Sequence, residues 1–294
     1  MQIQYLIIYI KIFSIFILIT LIIYLLFINK NIIISIIIPT FNREKFIVKS
    51  IQSVLNQTFN NIEIIIIDYC SSDNTENVIK KIKDKRIKYI KLNQKKGASH
   101  ARNIGIFLAK GKFISFQDSD DIPYERIYAL TYICALWILY HFDKLEKQMK
   151  NLYKSKSDFD FCKICVHYNK TFKNIYPKTE INKGNLYNDL ISKGNFISNP
   201  SILVKKSYLQ KYLFDNSLPR LQDYDLALRL IPNLKVSFTN ESLVDLYKQN
   251  DSISLYNWKI EKSISLLLNK NYSFNLSQKK RFKNNLKRLK KIFL

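Results

Sequence analysis

From Ile32 onward, short apolar runs alternate with longer amphipathic stretches. Ile32 to Ile38 is a near-continuous apolar run ending at Pro39, and Ile62 to Ile67 is a second ending at Asp68. Runs this short, without polar alternation, are the pattern of strands buried on both faces, as in a parallel sheet. Between them Ile47, Ile51, Val54 and Leu55 mark one face of a helix. Asp73, Asn74, Thr75 and Glu76 have capping-box spacing and predict another helix with Asp73 at its cap. Ile87 to Leu92 and Phe113 to Phe116 predict the third and fourth strands. Between these two, Ser99 starts a helix running to Lys110, with Gly111 as its left-handed stop. Strands alternating with helices make the domain α/β. Ligands of open parallel sheets sit beyond the carboxyl ends of the strands, and Thr40, Asp68 and the cluster Asp118, Ser119, Asp120, Asp121 stand at three such ends. They are expected to share one site.

The N-terminal pattern is different. No charge interrupts Ile12 to Ile28, and extension back to Tyr5 gives 24 residues, enough to cross a hydrocarbon core of about 30 Å. This predicts an anchor in residues 1–30, with one transmembrane helix over 5–28, rather than a cleaved signal peptide, because no small-residue cleavage site follows. Lys30, Arg43 and Lys45 follow the run, so the positive-inside bias puts the bulk of the chain in the cytoplasm as a single-pass membrane protein. The alternative is a Golgi or ER lumen, which sequons such as Asn169-Lys170-Thr171 permit. At the other end, Lys279 to Lys291 carries eight basic and no acidic residues, with Phe282, Leu286, Leu289 and Phe293 at helical steps. That is a basic amphipathic helix, suited to anionic lipid or to packing on the domain. It belongs to a tail, residues 256–294.

Charge narrows the partners. With 47 basic and 23 acidic residues the formal balance is +24, which favours something carrying phosphates. A nucleic acid is excluded as the partner, since no helix-turn-helix, zinc framework or RNA-binding signature is present. Four cysteines, Cys70, Cys134, Cys162 and Cys165, are too scattered for a disulfide framework. Cys162 and Cys165 form a CxxC near His167, but no second ligand pair stands at zinc spacing, so they read as strand residues in a reduced compartment.

Asp118 and Asp120, one residue apart at a strand end, can turn toward one divalent cation, magnesium or manganese, or form a polar turn. Arg102, beside His100 and Asn103, can clamp a diphosphate or lie solvated on its helix. Pro219 to Leu230 reads as the start of an amphipathic helix with carboxylates in its first turn. Asp223 or Asp225 is there a candidate general base, or a partner of the helix dipole.

In this order the segments resemble glycosyltransferase family 2, nucleotide-sugar-dependent inverting enzymes of the GT-A fold. The resemblance rests on Ser-Ile-Ile-Ile-Pro-Thr-Phe-Asn-Arg at 35–43, Ser-Val-Leu-Asn-Gln-Thr-Phe at 53–59, Glu63 to Asp73, Gly97 to Gly105, Phe116 to Asp121 and Leu218 to Leu230. It implies a Rossmann-like, mixed but mainly parallel sheet flanked by helices in a domain of residues 31–255. It implies that Pro39, Thr40 and Asp68 hold the nucleotide, that Asp118 and Asp120 form the metal-binding D-x-D element, and that Arg102 lies by the diphosphate. Asp223 becomes the base, and Asn199 and Ser201 line the acceptor side. The expected reaction is transfer from a UDP-sugar to a hydroxyl of a glycan or lipid-linked acceptor, with inversion.

Three departures stand out. Where the family usually reads Asp-Asp-Gly-Ser, this chain reads Asp68-Tyr69-Cys70-Ser71, and Gln222 stands where glutamate often precedes the base. About 15 residues between Ile122 and Phe142 are inserted by that comparison, and their apolar and aromatic character suits a helical lid. The alternative function is a catalytically inactive descendant that binds nucleotide-sugar or membrane.

Overall fold

A computed structural model describes residues 33–118, 143–167, 173–178, 181, 183–247 and 257–293. The first half is the expected alternation: β1 (Ile34–Thr40), α1 (Ile47–Leu55), β2 (Ile62–Asp68), α2 (Thr75–Lys80), β3 (Ile87–Lys91), α3 (Ala98–Leu108) and β4 (Phe113–Phe116). The second half contributes α4 (Lys144–Ser155), β5 (Phe159–His167), β6 (Lys173–Tyr176), α5 (Leu186–Lys193), β7 (Ile202–Lys205), α6 (Lys206–Lys211), α7 (Gln222–Leu230), β8 (Val236–Tyr247), α8 (Asn257–Asn269) and α9 (Leu276–Phe293).

Eight strands form one sheet in the order β3-β2-β1-β4-β7-β5-β6, with β8 paired to β5. The β3-β2-β1-β4 half is parallel, β7 runs antiparallel to both β4 and β5, and β8 runs parallel to β5. The sheet is therefore mixed, with helices on both faces. Period-two alternation assigns each isoleucine of the buried runs to a layer. Ile36, Ile38, Ile64 and Ile66 pack with Ile47 and Ile51 of α1 and Leu145 and Met149 of α4. Ile37, Ile65 and Ile67 pack on the other side with Ala101 and Ile106 of α3. An uninterrupted apolar run is what two covered faces require.

Two local expectations change. Asp73 does receive the Thr75 N–H, at 3.0 Å, but the helix starts one residue later, after Asn74. Gly111 is not a left-handed stop, since the helix ends at Leu108 and the extended Ala109 follows. Glycine is needed there for proximity: a Cβ on Gly111 would stand 2.6 Å from the Ser35 backbone nitrogen. Its N–H donates to Ser35 Oγ (2.9 Å), which donates to the buried Glu63 carboxylate (2.6 Å). Gly111→Ala is expected to destabilise the domain by about 1–3 kcal/mol through overpacking against backbone that cannot yield. Urea unfolding measures this, and a loss within error would refute it.

The single-pass membrane expectation, with its cytoplasmic or luminal placement, is corrected here. Among the described residues no helix is long and apolar enough to cross a membrane, and the 5–28 segment lies outside the described residues. The amphipathic C-terminal helix is also accounted for by packing. Phe282 is 4% and Leu286 0% exposed, both in the core that Ile264 and Leu267 of α8 join. Phe282 and Leu286 of the stripe that suited lipid are thus covered by protein.

Candidate active site

The carboxyl ends of β1, β2 and β4 meet the first turns of α3 and α7 around a cleft of about 630 Å³. Its walls include Pro39, Tyr69, Arg102, Asp118, Asn199 and Asp223, with Arg43, Lys95, Lys96, Arg220 and Lys259 supplying positive charge. Five of the expected site residues therefore share one cavity: Pro39, Arg102, Asp118, Asn199 and Asp223.

Thr40 and Asp68 are paired across β1 and β2 and fully buried. Asp68 works on the loop: Oδ1 accepts the Ser71 N–H (2.7 Å) and Oδ2 the Tyr89 hydroxyl (2.8 Å). Burial and that carboxylate push the Tyr89 phenol well above its usual range, so it remains a donor. Ser71 Oγ then accepts the Asn42 N–H (2.9 Å), Asn42 Oδ1 accepts the Ser72 N–H (2.9 Å), and Arg43 N–H reaches Thr75 Oγ1 (2.8 Å). The loops after β1 and β2 are laced together, so Thr40 and Asp68 shape the cleft wall without lining it. Cys70 holds φ +82°, the left-handed backbone that its usual glycine occupies without strain. Tyr69 stacks on Phe41 with centroids 5.3 Å apart and planes at 17°, and the Lys95 ammonium lies 3.7 Å from the Phe41 centroid. Replacing a carboxylate by this phenol gives the wall an aromatic, cationic character.

Arg102 is the hub. It is 6% exposed, donates from Nη2 to Asp118 Oδ1 at 2.5 Å and from Nη1 to Gln222 Oε1 at 3.1 Å, and lies over the Phe214 ring. Burial opposes its charge, but the Asp118 and Asp223 carboxylates outweigh that and raise its pKa. Gln222 thus has a role the sequence comparison missed: a neutral carbonyl orients the guanidinium where glutamate would add a further negative charge. The adjacent Gln222-Asp223 pair at a helix start was its only signal.

Asp118 is anchored through its backbone carbonyl, which accepts Ser50 Oγ from α1 at 3.3 Å. Among the described residues no hydrogen bond reaches its Oδ2, and its side chain is 22% exposed to the cleft. A hard, partly open carboxylate suits a magnesium or manganese ion. Asp120 and the 122–142 insertion lie outside the described residues.

Asp223 is the second residue of α7, which starts after Leu221, whose φ of +58° turns the chain into the helix. Burial raises its pKa, against a 2.9 Å hydrogen bond from the Tyr224 N–H and the charge of Arg102, with Asp118 adding to the rise. A carboxylate with a raised pKa at a cleft wall is suited to accept a proton. Asn199 stands beside it in a helical turn at Asn199–Ser201. It is 6% exposed, and its buried Oδ1 has no partner among the described residues. Ser201 is corrected: its hydroxyl donates to the Ser198 carbonyl at 2.7 Å and the residue is fully buried, so it does not face an acceptor.

Comparison with known proteins gives a family and a fold. The Glycosyl transferase family 2 model matches residues 35–130. An uncharacterized glycosyltransferase of Methanocaldococcus jannaschii is 32% identical over 68% of this chain and 65% of its own, so the match spans just under two thirds of that relative. The Escherichia coli UDP-Glc:alpha-D-GlcNAc-diphosphoundecaprenol beta-1,3-glucosyltransferase WfgD is 32% identical over 70% of this chain and 73% of its own. Among solved structures, S. aureus TarS in complex with UDP-GlcNAc has a TM-score of 0.63 at 19% identity, covering 87% of this chain and 72% of that one, which establishes a common fold. With that fold, this cleft and a relative matched over nearly three quarters of its length, the chain belongs to glycosyltransferase family 2.

Proposed function

We propose that the protein transfers a sugar from a UDP-sugar to a hydroxyl of a glycan or lipid-linked acceptor, with inversion at the anomeric carbon. One observation carries the reading: a single cleft holds a buried guanidinium paired to a strand-end carboxylate on one side and a proton-accepting carboxylate on the other. A nucleotide-sugar needs the first at its diphosphate, and an incoming hydroxyl needs the second. The UDP-GlcNAc complex of TarS supports the donor class, and the diphosphoundecaprenol acceptor named for WfgD supports a lipid-linked acceptor.

The Tyr69–Phe41 stack and Lys95 provide an aromatic and cationic wall for the nucleotide, next to Pro39. Arg102, held charged by Asp118, faces the diphosphate and stabilises the charge that develops as the sugar–phosphate bond breaks. Asp223 takes the acceptor hydroxyl's proton as that oxygen attacks from the face opposite the leaving diphosphate, and the Asn199 amide orients the acceptor beside it. Asp118, with Asp120, would hold the manganese or magnesium ion, which when bound neutralises diphosphate charge.

The test is thermal stability of the full chain against a panel of nucleotide-sugars, with and without manganese, because a ligand that binds only the folded state raises the melting temperature. A manganese-dependent shift with a UDP-sugar, lost in Asp118→Ala, is expected, followed by turnover of that donor. No shift with any donor would reject the donor site. A shift without transfer to any acceptor would leave an inactive, sugar-nucleotide-binding descendant.

A further inference from the structure

The CxxC of β5 cannot chelate as a pair. Successive strand residues point to opposite faces, so Cys162 and Cys165, three apart, are divided by the sheet. Cys162 is fully buried and turns its thiol to the Ser201 carbonyl. Cys165 instead shares its face with His167, two residues on, and in the parallel β5–β8 pairing it stands directly opposite Asp245.

The three side chains converge. One ligand atom from each of Cys165, His167 and Asp245 lies within 4.8 Å of the other two, and His167 Nε2 is 2.7 Å from Asp245 Oδ1. Cys165 is 5% and His167 6% exposed, and the Asp245 side chain 13%. All three sit on paired strands, whose backbone fixes the spacing more firmly than a loop would. Lys173, opposite His167 on β6, acts on Cys165 by its charge, so an incoming ion meets this cation as well as the carboxylate and the thiol.

We propose that Cys165, His167 and Asp245 form a zinc site, separate from the cleft, that clips β5 to β8. Thiolate, imidazole and carboxylate together match the ligand preference of zinc, whereas magnesium and manganese prefer the all-oxygen set expected at Asp118. Three protein ligands leave a fourth position of the tetrahedron for water. With zinc–ligand bonds of about 2.0–2.3 Å, ligand atoms in a tetrahedron stand about 3.3–3.7 Å apart. The 2.7 Å His167–Asp245 contact therefore has to open by less than about 1 Å, and no separation, all being within 4.8 Å, has to close by more than about 1 Å. Neither sequence spacing nor the cysteine pair announces this site. Its nearest sign is the Cys-x-His step, whose third ligand comes from a strand about 80 residues later.

The experiment titrates the full chain with zinc against a chromophoric chelator, and in parallel with cobalt(II), whose thiolate charge-transfer absorption reports sulfur ligation. One zinc per chain is expected, with a higher melting temperature and no competition from magnesium. Cys165→Ser should remove the charge-transfer band, and Asp245→Asn, which keeps the size of the side chain, should weaken zinc at least about tenfold, the low end for groups that support a bound metal. Cys70→Ser should change neither. Absence of stoichiometric zinc in the unsubstituted chain would overturn the proposal. A band surviving in Cys165→Ser would do the same, as would unchanged affinity in Asp245→Asn. The Asp245→Asn result decides even if Cys165→Ser fails to fold.

Discussion

Asp223→Asn is expected to slow transfer by about 10²–10⁴-fold, the usual contribution of a positioned general base, while donor-induced thermal shifts survive. The amide keeps the shape and can still accept the Tyr224 N–H, but it cannot take a proton. The same residue sets a pH dependence. Burial raises its carboxyl above the ordinary 3.8, and only the ionised form accepts the hydroxyl's proton. In the unsubstituted enzyme kcat/KM is therefore expected to fall as pH drops through this raised value, and Asp223→Asn should lose that acid limb. Stability should run the other way. Between 3.8 and the raised value the folded state holds a proton that the unfolded chain releases, so folding weakens as pH rises through that window. Above it the cost is complete, and Asp223→Asn removes it, so the variant should melt no lower than the parent at neutral pH. Transfer within threefold of the parent, or an unchanged acid limb, would remove Asp223 from the mechanism. A large drop in melting temperature would mean its role is structural.

Much of this site is legible in the sequence alone. Ile36, Ile37 and Ile38, all apolar, announced two covered faces, and Thr40, Asp68 and Asp118 then had to fall at strand ends on one edge of the sheet. Strand periodicity cannot say which of those side chains look outward. Asp68 turns into the loop network, where Oδ1 accepts the Ser71 N–H and Oδ2 the Tyr89 hydroxyl, while the Thr40 hydroxyl turns back to the Ile38 carbonyl. Ser201 ends a helical turn that sends its hydroxyl back to Ser198. Gly111 was legible as a needed glycine but not for the right reason, since close approach to Ser35 is a long-range fact. The C-terminal stripe of Phe282 and Leu286 fits lipid and protein equally well on a helical wheel, and only a partner surface decides between them. Asp245 was invisible because its role depends on β8 joining β5 in parallel, with two register shifts that move the pairing by several residues.

Asp225→Ala is expected to cost about 3 kcal/mol of stability. Asp225 lies two residues beyond the candidate base, on the opposite side of α7, and is fully buried. Oδ2 accepts both Nε (3.0 Å) and Nη2 (2.7 Å) of Arg229, while Oδ1 accepts Lys270 Nζ and the Tyr272 hydroxyl, each at 2.7 Å. Lys270 also binds Asp215 at 2.6 Å and holds its carboxyl down at about 2. This network fastens the chain between α8 and α9 to the helix that presents Asp223. Removing one partner of a buried pair typically costs 3–5 kcal/mol, because the remaining charges lose their counterion. Arg229 and Lys270 keep 24% and 23% of their side-chain surface exposed and can recover some hydration, which places the estimate at the lower bound. Lys270→Met should cost less than half as much, because Asp225 retains Arg229 and Tyr272. Urea unfolding of both variants gives the comparison directly. Equal losses would locate the energy in the Lys270–Asp225 pair that both variants break, and a loss below about 1 kcal/mol in Asp225→Ala would show that the docking of α8 and α9 on α7 rests on other contacts, such as the packing of Leu267, Phe282 and Leu286 and the Asn285–Tyr224 hydrogen bond.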